Sequence, residues 1–389
     1  MAKDNYVAYV GTYTNGTSKG IHIYDVDVDE GLLYLRRIVP VRNSSYVYES
    51  RSGTFLYSVA DEGIQVFEIK PDGDLTSINK ITINGMRGHH ITQDRTGKYL
   101  FVAGYHDGKV TMIHTHRDGR LGSQTDEVYH TGIGGIRERS WRPHVCCVRV
   151  SPDNRYLFAV DSALDQIVIY EIDHVKSKLK QIDILRMGKE AGPSSIWFSL
   201  DGRFAYVLCE ITCTVRVYKL GVKSDGFPPF DLIEEHSTLS RPFEIHDTGA
   251  SLRLSYDGNY LIVSTAGENT VAIFEINHND GTLKRILALP TSGNYPKDAI
   301  LFPDQRHLAA VNNGENTITT FTVDYEKGTL VMKGRPHKID KPNCLAFHKI
   351  EKAPASFRSI SEDEAEAEAQ AIIDEAKKMH KPDETGWAR

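Results

Sequence analysis

Most of the side chains in this 389-residue chain that could do chemistry stand at the starts of short β-branched and aromatic runs. His89-His90 open one run, and His144 to Cys146 open another. Ser44 to Tyr46, Ser194-Ser195, Ser251 to Arg253, Lys297-Asp298 and Asn343 open five more. A second set follows the next run in each case: Thr12-Tyr13, Asp61, Tyr105-His106, Asp161, Glu210, Ala266 and Asn313. If these runs share one mouth, three histidines, a glutamate and two cations converge there, as in a small-molecule site. The plainer alternative is a wet channel whose polar groups only satisfy strand ends. His144, Cys146, Cys209 and Cys213 fit no zinc spacing, and cysteine often serves as a small hydrophobe, so no metal is expected. Asp161 and Asp165 read equally as turn-formers or as catalysts. Gly132-Ile133-Gly134-Gly135 precedes no helix and so is no phosphate loop. Arg137, Arg139 and Arg142 flank Glu138, the pattern of a self-paired solvated loop.

The elements that would position these residues are repeats. One phrase recurs: turn, strand, short loop, strand, turn. It begins at Ser52, Thr96, Pro152, Leu200, Tyr256 and Pro303, for example TGKYLFVAGYHDGKVTMIHTHRDGRL from Thr96. Its turn positions are Gly53, Gly97, Asn154, Gly202, Gly258 and Gln305, spaced 44 to 57 residues apart. That spacing suits a four-stranded propeller blade of roughly 40–50 residues. Asp72-Gly73, Asp118-Gly119 and Asp280-Gly281 supply the positive φ of tight hairpins.

The ends are asymmetric in a telling way. The first unit, VAYVGTYTNGTSKGIHIYDVDVDEGLL from Val7, lacks the short strand that precedes every other unit. A spare copy, PNCLAFH, stands at Pro342 after the last full unit. Placed in the first blade it completes seven blades, closes the ring and removes exposed edges. The chain is therefore expected to be an all-β, seven-bladed propeller of four-stranded antiparallel blades over 1–350. The remainder, 351–389, is a C-terminal extension. There Ser361 with Glu364 forms a capping box, and Ala365, Ala369, Ile372, Ile373, Ala376 and Met379 share one helical face. This helix is expected to dock on its own propeller or to pair two subunits as a homo-oligomer. Gly132–Arg142 and Gly221–Arg241 read as long connections that carry function or cover a site.

A net charge of −6 argues against a nucleic-acid surface. No run reaches the ~18 apolar residues of a membrane span. The N-terminus has no apolar leader segment, and an odd count of five cysteines reads as reduced thiols in the cytoplasm.

The phrasing and order of these units resemble the seven-bladed lactonase family, which includes propeller-type 6-phosphogluconolactonase and the carboxymuconate lactonising enzymes. The likeness covers roughly residues 6–348. It rests on YVGTYTNGTSKGIHIYDVD, PHVCCVRVSPDNRYLFAVDSALDQI, GPSSIWFSLDGRFAYVLCE, ASLRLSYDGNYLIVS and PKDAILFPDQRHLAAVNNGENT. The resemblance implies a site of histidine, arginine and glutamate. His144 matches the first member of the family's histidine pair, whose second falls on Cys146. Glu210 matches its glutamate and Arg253 a basic position. The arginines expected at 194, 297 and 266 are Ser194, Lys297 and Ala266 here.

The implied activity is cofactor-independent hydrolysis or formation of a sugar lactone or related organic-acid lactone. Glu210 would move the proton of water or of a substrate hydroxyl. Arg253 or His144 would donate to the developing oxyanion. Arg142, Arg253 and Lys297 would grip a carboxylate or phosphate. Tyr13, His89, His90, Arg142, Cys146, Ser194, Lys297, Asp298 and Asn343 are the expected substrate contacts. Loss of an arginine at Ser194 favours a plain sugar acid or lactone over a phosphorylated one. The same groups would serve an isomerase or lyase on an oxidised sugar, and a non-catalytic binding platform is the third reading.

Overall fold

A computed structural model describes residues 4–135, 141–221, 229–354 and 356–379. Seven four-stranded antiparallel sheets form the blades, each ordered from its inner to its outer strand. In chain order the inner strands of blades two to seven are Val47–Glu49, His90–Gln93, Val145–Val150, Pro193–Phe198, Thr248–Leu254 and Pro296–Leu301. Blade one takes its inner strand, Pro342–Ile350, from the far end of the chain. That strand pairs with Asn5–Thr12 in register Val7 to His348, Ala8 to Phe347 and Val10 to Leu345. The spare strand therefore closes the ring in the first blade, as its sequence requires.

Position within a blade explains the composition of each strand. The second strands Tyr99–Gly104, Tyr156–Asp161, Phe204–Cys209 and His307–Asn312 are buried at every residue, because neighbouring blades cover both faces. They read as continuous apolar runs for that reason. Outer strands such as Leu75–Thr82 and Thr329–Lys338 face solvent and are largely polar. The core lies between blades. Tyr99, Phe101 and Ala103 of blade three, for example, pack on Val148, Leu157 and Ala159 of blade four. All six repeated turn positions are left-handed, from φ 59° at Gln305 to 75° at Gly258.

One expectation needs correction. Gly221–Arg241 is not simply a long connection: it contains the outer strand of blade five, Phe230–Ser237, paired with Thr214–Leu220. Its half-exposed sequence, FDLIEEHS, carries too little apolar alternation to announce a strand. Phe227 and Pro228 lie outside the described residues, as do Arg137, Glu138 and Arg139 of the other connection.

Helix α1 (Glu362–Met379) is capped by Ser361, whose hydroxyl accepts the Glu364 amide at 3.2 Å. Ala365 and Ala369 are fully buried against Leu35 and Ile38 of blade one, so the helix docks on its own chain. His22 Nε2 and Glu362 Oε1 lie 2.7 Å apart beneath its first turn. The apolar face is used only in part, since Ile372 and Ala376 remain exposed. No helix of the described residues is long and apolar enough to cross a membrane.

Candidate active site

Every inner strand delivers side chains to one central cavity of about 110 Å³, lined from all seven blades. A strand of period two would aim only alternate residues inward. Here consecutive residues line the wall: His89-His90, Cys146-Cys147, Ser194-Ser195, Lys297-Asp298 and Asn343-Cys344. A recurring irregularity explains this. The register against the second strand slips at Val145/Cys147, Pro193/Ser195, Gly249/Ser251 and Pro296/Asp298. Each slip is a bulge that turns an extra residue toward the channel. Below the bulges the ordinary alternation resumes, so Arg149, Trp197 and Arg253 form the cavity floor.

A belt of polar contacts ties this wall together. Val148 N–H donates to His90 Nδ1 at 3.4 Å, which leaves Nε2 as the protonated nitrogen facing Tyr46 Oη at 3.0 Å. Arg149 Nε donates to the Ile196 carbonyl at 3.2 Å, and its guanidinium lies 3.8 Å from the Trp197 ring centroid. Trp197 Nε1 donates to the Leu252 carbonyl at 2.6 Å. Arg253 donates to Asp298 through Nε at 2.9 Å and Nη2 at 2.5 Å. Asp298 also accepts the Leu345 amide at 3.0 Å, and Asn343 Nδ2 donates to the Ser45 carbonyl at 2.6 Å. Each contact joins one blade to the next, and the series runs once around the ring.

Two other candidate groups, His144 and Glu210, lie outside this lining. His144 is 5% exposed; its amide donates to Asp161 Oδ1 at 3.0 Å and its ring stacks on Tyr105 with centroids 4.2 Å apart. His89 packs on the same tyrosine at 5.3 Å. Glu210 follows the second strand of blade five, its amide held by the Gly192 carbonyl and its own carbonyl by the Gly249 amide. Burial, and then the nearby Glu210 charge, push the Cys146 thiol well above its usual range. Cys146 Sγ in turn lies 3.1 Å from Ser162 Oγ and 3.5 Å from the His144 carbonyl.

The electrostatic character is positive. Burial first, then Lys297 and His106, lower the His89 pKa to about 3. Burial followed by Arg149 holds His90 well below its normal value. Both imidazoles are neutral at physiological pH. Lys297 has no carboxylate partner among the described residues; its ammonium lies 4.9 Å from the Tyr295 ring centroid. Asp298, by contrast, is fully engaged.

Of the residues singled out from sequence, His89, His90, Cys146, Ser194, Arg253, Lys297, Asp298 and Asn343 line the cavity. His144 and Glu210 are not among its lining residues; His144 reaches it only through Tyr105, on which the lining residue His89 also packs. Tyr13 lies outside the wall beneath the Arg87 guanidinium, 5.1 Å from its ring centroid, and Arg142 is exposed. Asp161 serves structure: it is fully buried and accepts the amides of His144, Ala163 and Leu164 and a 2.7 Å contact from His130. Asp165 likewise caps Glu190 and Gly192. Cys209 and Cys213 are buried free thiols, each pushed up to about 12 chiefly by burial. Sequence reading passed over Arg87, Arg149 and Trp197. The available signal for the last two was their shared place with Arg253, two residues before the serine opening each turn: Ser151, Ser199 and Ser255.

Comparison with known proteins agrees with this architecture. The family described as "Lactonase, 7-bladed beta-propeller" matches residues 7–347. The chain is 30% identical to a 6-phosphogluconolactonase of Bacillus subtilis (strain 168) over 318 residues, 79% of this chain and 88% of that protein. The periplasmic gluconolactonase PpgL of Pseudomonas aeruginosa superposes with a TM-score of 0.82 at 25% identity, covering 88% of this chain and 99% of that one. A Lactobacillus plantarum protein gives 0.80 at 27% identity, over 89% and 99%. With the match spanning all seven blades, the chain belongs to the seven-bladed β-propeller lactonase family.

Proposed function

We propose that this protein is a lactonase that opens the ring of a sugar lactone or related organic-acid lactone with water. One observation carries the reading: a family member gathers His89, His90 and the cations Arg149 and Lys297 around a single cavity built from all seven blades. In the proposed step, water oxygen bonds to the lactone carbonyl carbon while Glu210 takes its proton. His144, held by Tyr105 and Asp161, donates to the oxyanion. Collapse breaks the ring C–O bond, and the proton passes to the departing alkoxide, giving the hydroxy acid. Arg253 is committed to Asp298, so its part is to hold the floor and bias the potential rather than to act alone as the oxyanion donor. The substrate is the small-molecule partner, and the reaction as written needs only water and the chain's own groups. The compartment we favour is the cytoplasm, on the strength of five free thiols.

The test is hydrolysis of glucono-δ-lactone and its 6-phosphate above the spontaneous rate. Glu210→Gln should lower kcat/KM by about 10²–10⁴-fold. Equal rates for the wild type and Glu210→Gln on a lactone panel would remove the enzymatic reading.

A further inference from the structure

Arg149 and Arg253 occupy the same place in blades four and six, and both guanidinium groups reach the cavity floor. Their surroundings differ in one decisive respect. Arg253 is neutralised by the paired bonds to Asp298. Arg149 has no carboxylate partner among the described residues. Its only hydrogen bond there spends Nε on the Ile196 carbonyl, and one face of the guanidinium lies on Trp197. Trp197 cannot drift, because its indole N–H is fixed to the Leu252 carbonyl at 2.6 Å. The stacked plane leaves both terminal nitrogens of Arg149 without a hydrogen bond to any described residue.

An arginine withdrawn from bulk water without a counter-charge is costly, and stacking on an aromatic face offsets only part of that cost. Here the positive charge is reinforced: Arg149 and Arg253 both lie close enough to His90 to oppose its protonation, and Lys297 faces the same cavity. A planar guanidinium held in one orientation matches the two oxygens of a carboxylate or phosphate, which a mobile ammonium does not.

Resting on the lactonase reading, we propose that Arg149, stacked on Trp197 at the cavity floor, is an anion subsite. It selects substrates carrying a carboxylate or phosphate remote from the ester that is cleaved. Lys297 adds a second positive charge over the same space. Ser194 at the wall does not deprive the site of a guanidinium, because blade four supplies one from below. This removes the ground on which the serine alone favours a plain sugar acid or lactone over a phosphorylated one.

The experiment compares wild type with Arg149→Gln and Arg149→Lys, each checked for native circular dichroism. Kinetics with glucono-δ-lactone and its 6-phosphate are paired with titration of Trp197 fluorescence by inorganic phosphate and by gluconate, wild type and variants being compared in a Trp141→Phe, Trp387→Phe background. Arg149→Gln should raise KM for the phosphorylated lactone at least tenfold more than for the neutral one, with the smaller change in kcat. Arg149→Lys should recover only part of that difference. Phosphate or gluconate should perturb the fluorescence of wild type and not that of Arg149→Gln; the stronger responder identifies the preferred anion. Equal losses on the two lactones overturn the proposal, as does anion binding that Arg149→Gln leaves intact. Absence of any anion response in wild type overturns it as well. If wild type hydrolyses neither lactone, the lactonase reading fails, and the fluorescence titration still decides the subsite.

Discussion

Arg253 of blade six and Asp298 of blade seven join their blades across the channel wall by two parallel hydrogen bonds, with only 18% and 3% of their side chains exposed. Asp298 passes the contact on to the Leu345 amide of the strand that closes the ring. One carboxylate therefore links the sixth, seventh and first blades.

Removing that carboxylate strands a largely enclosed guanidinium and an amide. Asp298→Ala should cost on the order of 3 kcal/mol, read as a lower urea midpoint. Replacing both partners with apolar residues, Arg253→Met with Asp298→Leu, should recover much of the loss. A double variant less stable than Asp298→Ala would show that the pair does more than neutralise itself.

Acid should destabilise the fold through the channel histidines. In the unfolded chain each titrates near 6.5, whereas His89 is held to about 3 and His90 well below its ordinary value. Between these limits the unfolded chain binds more protons. Stability is thus fully present above about pH 6.5 and falls as the pH drops, by at most about 1.4 kcal/mol per pH unit for each group. His90 should contribute the larger share, since His89 is only partly buried at the mouth. Denaturation midpoints of His90→Gln should depend less steeply on pH between 6.5 and 4 than those of wild type.

Gln305 holds the left-handed turn position that glycine or asparagine fills in the other five repeats, at φ 59°. Its side-chain carbonyl is also buried without a partner among the described residues. Gln305→Gly relieves both penalties and should raise stability by roughly 0.5–1 kcal/mol, net of glycine's larger loss of chain entropy. A lower melting temperature in calorimetry would contradict this.

The tail helix should be detachable. Ala369 is fully buried against blade one, so Ala369→Asp places a carboxylate among the apolar side chains of Leu35 and Ile38. Hydrogen exchange across Glu362–Met379 should rise by at least tenfold, while the inner strand Val145–Val150 keeps its protection. Unchanged exchange in the helix would mean that its first turn, with the His22–Glu362 contact, suffices to hold it.

What the residues alone determined is the architecture and the circle of side chains that face its axis. The turn positions from Gly53 to Gln305, the unbroken apolar second strands and the displaced copy at Pro342 are local signals, set by backbone sterics and by burial on two faces. Seven blades and their closure follow from them. The outer strand Phe230–Ser237 escaped because a strand with one solvated face writes only a faint pattern.

Within the site, only the tertiary structure decided which charges are spent. Arg149 and Arg253 look alike in sequence, two residues before a serine. Whether a carboxylate sits across from each depends on blades some 50 residues away, where Asp298 meets Arg253 and Trp197 meets Arg149. The bulges that turn consecutive residues toward the cavity are likewise properties of paired strands. Pairing between distant segments, rather than residue type, divides the cations that hold this ring together from those left to meet a ligand.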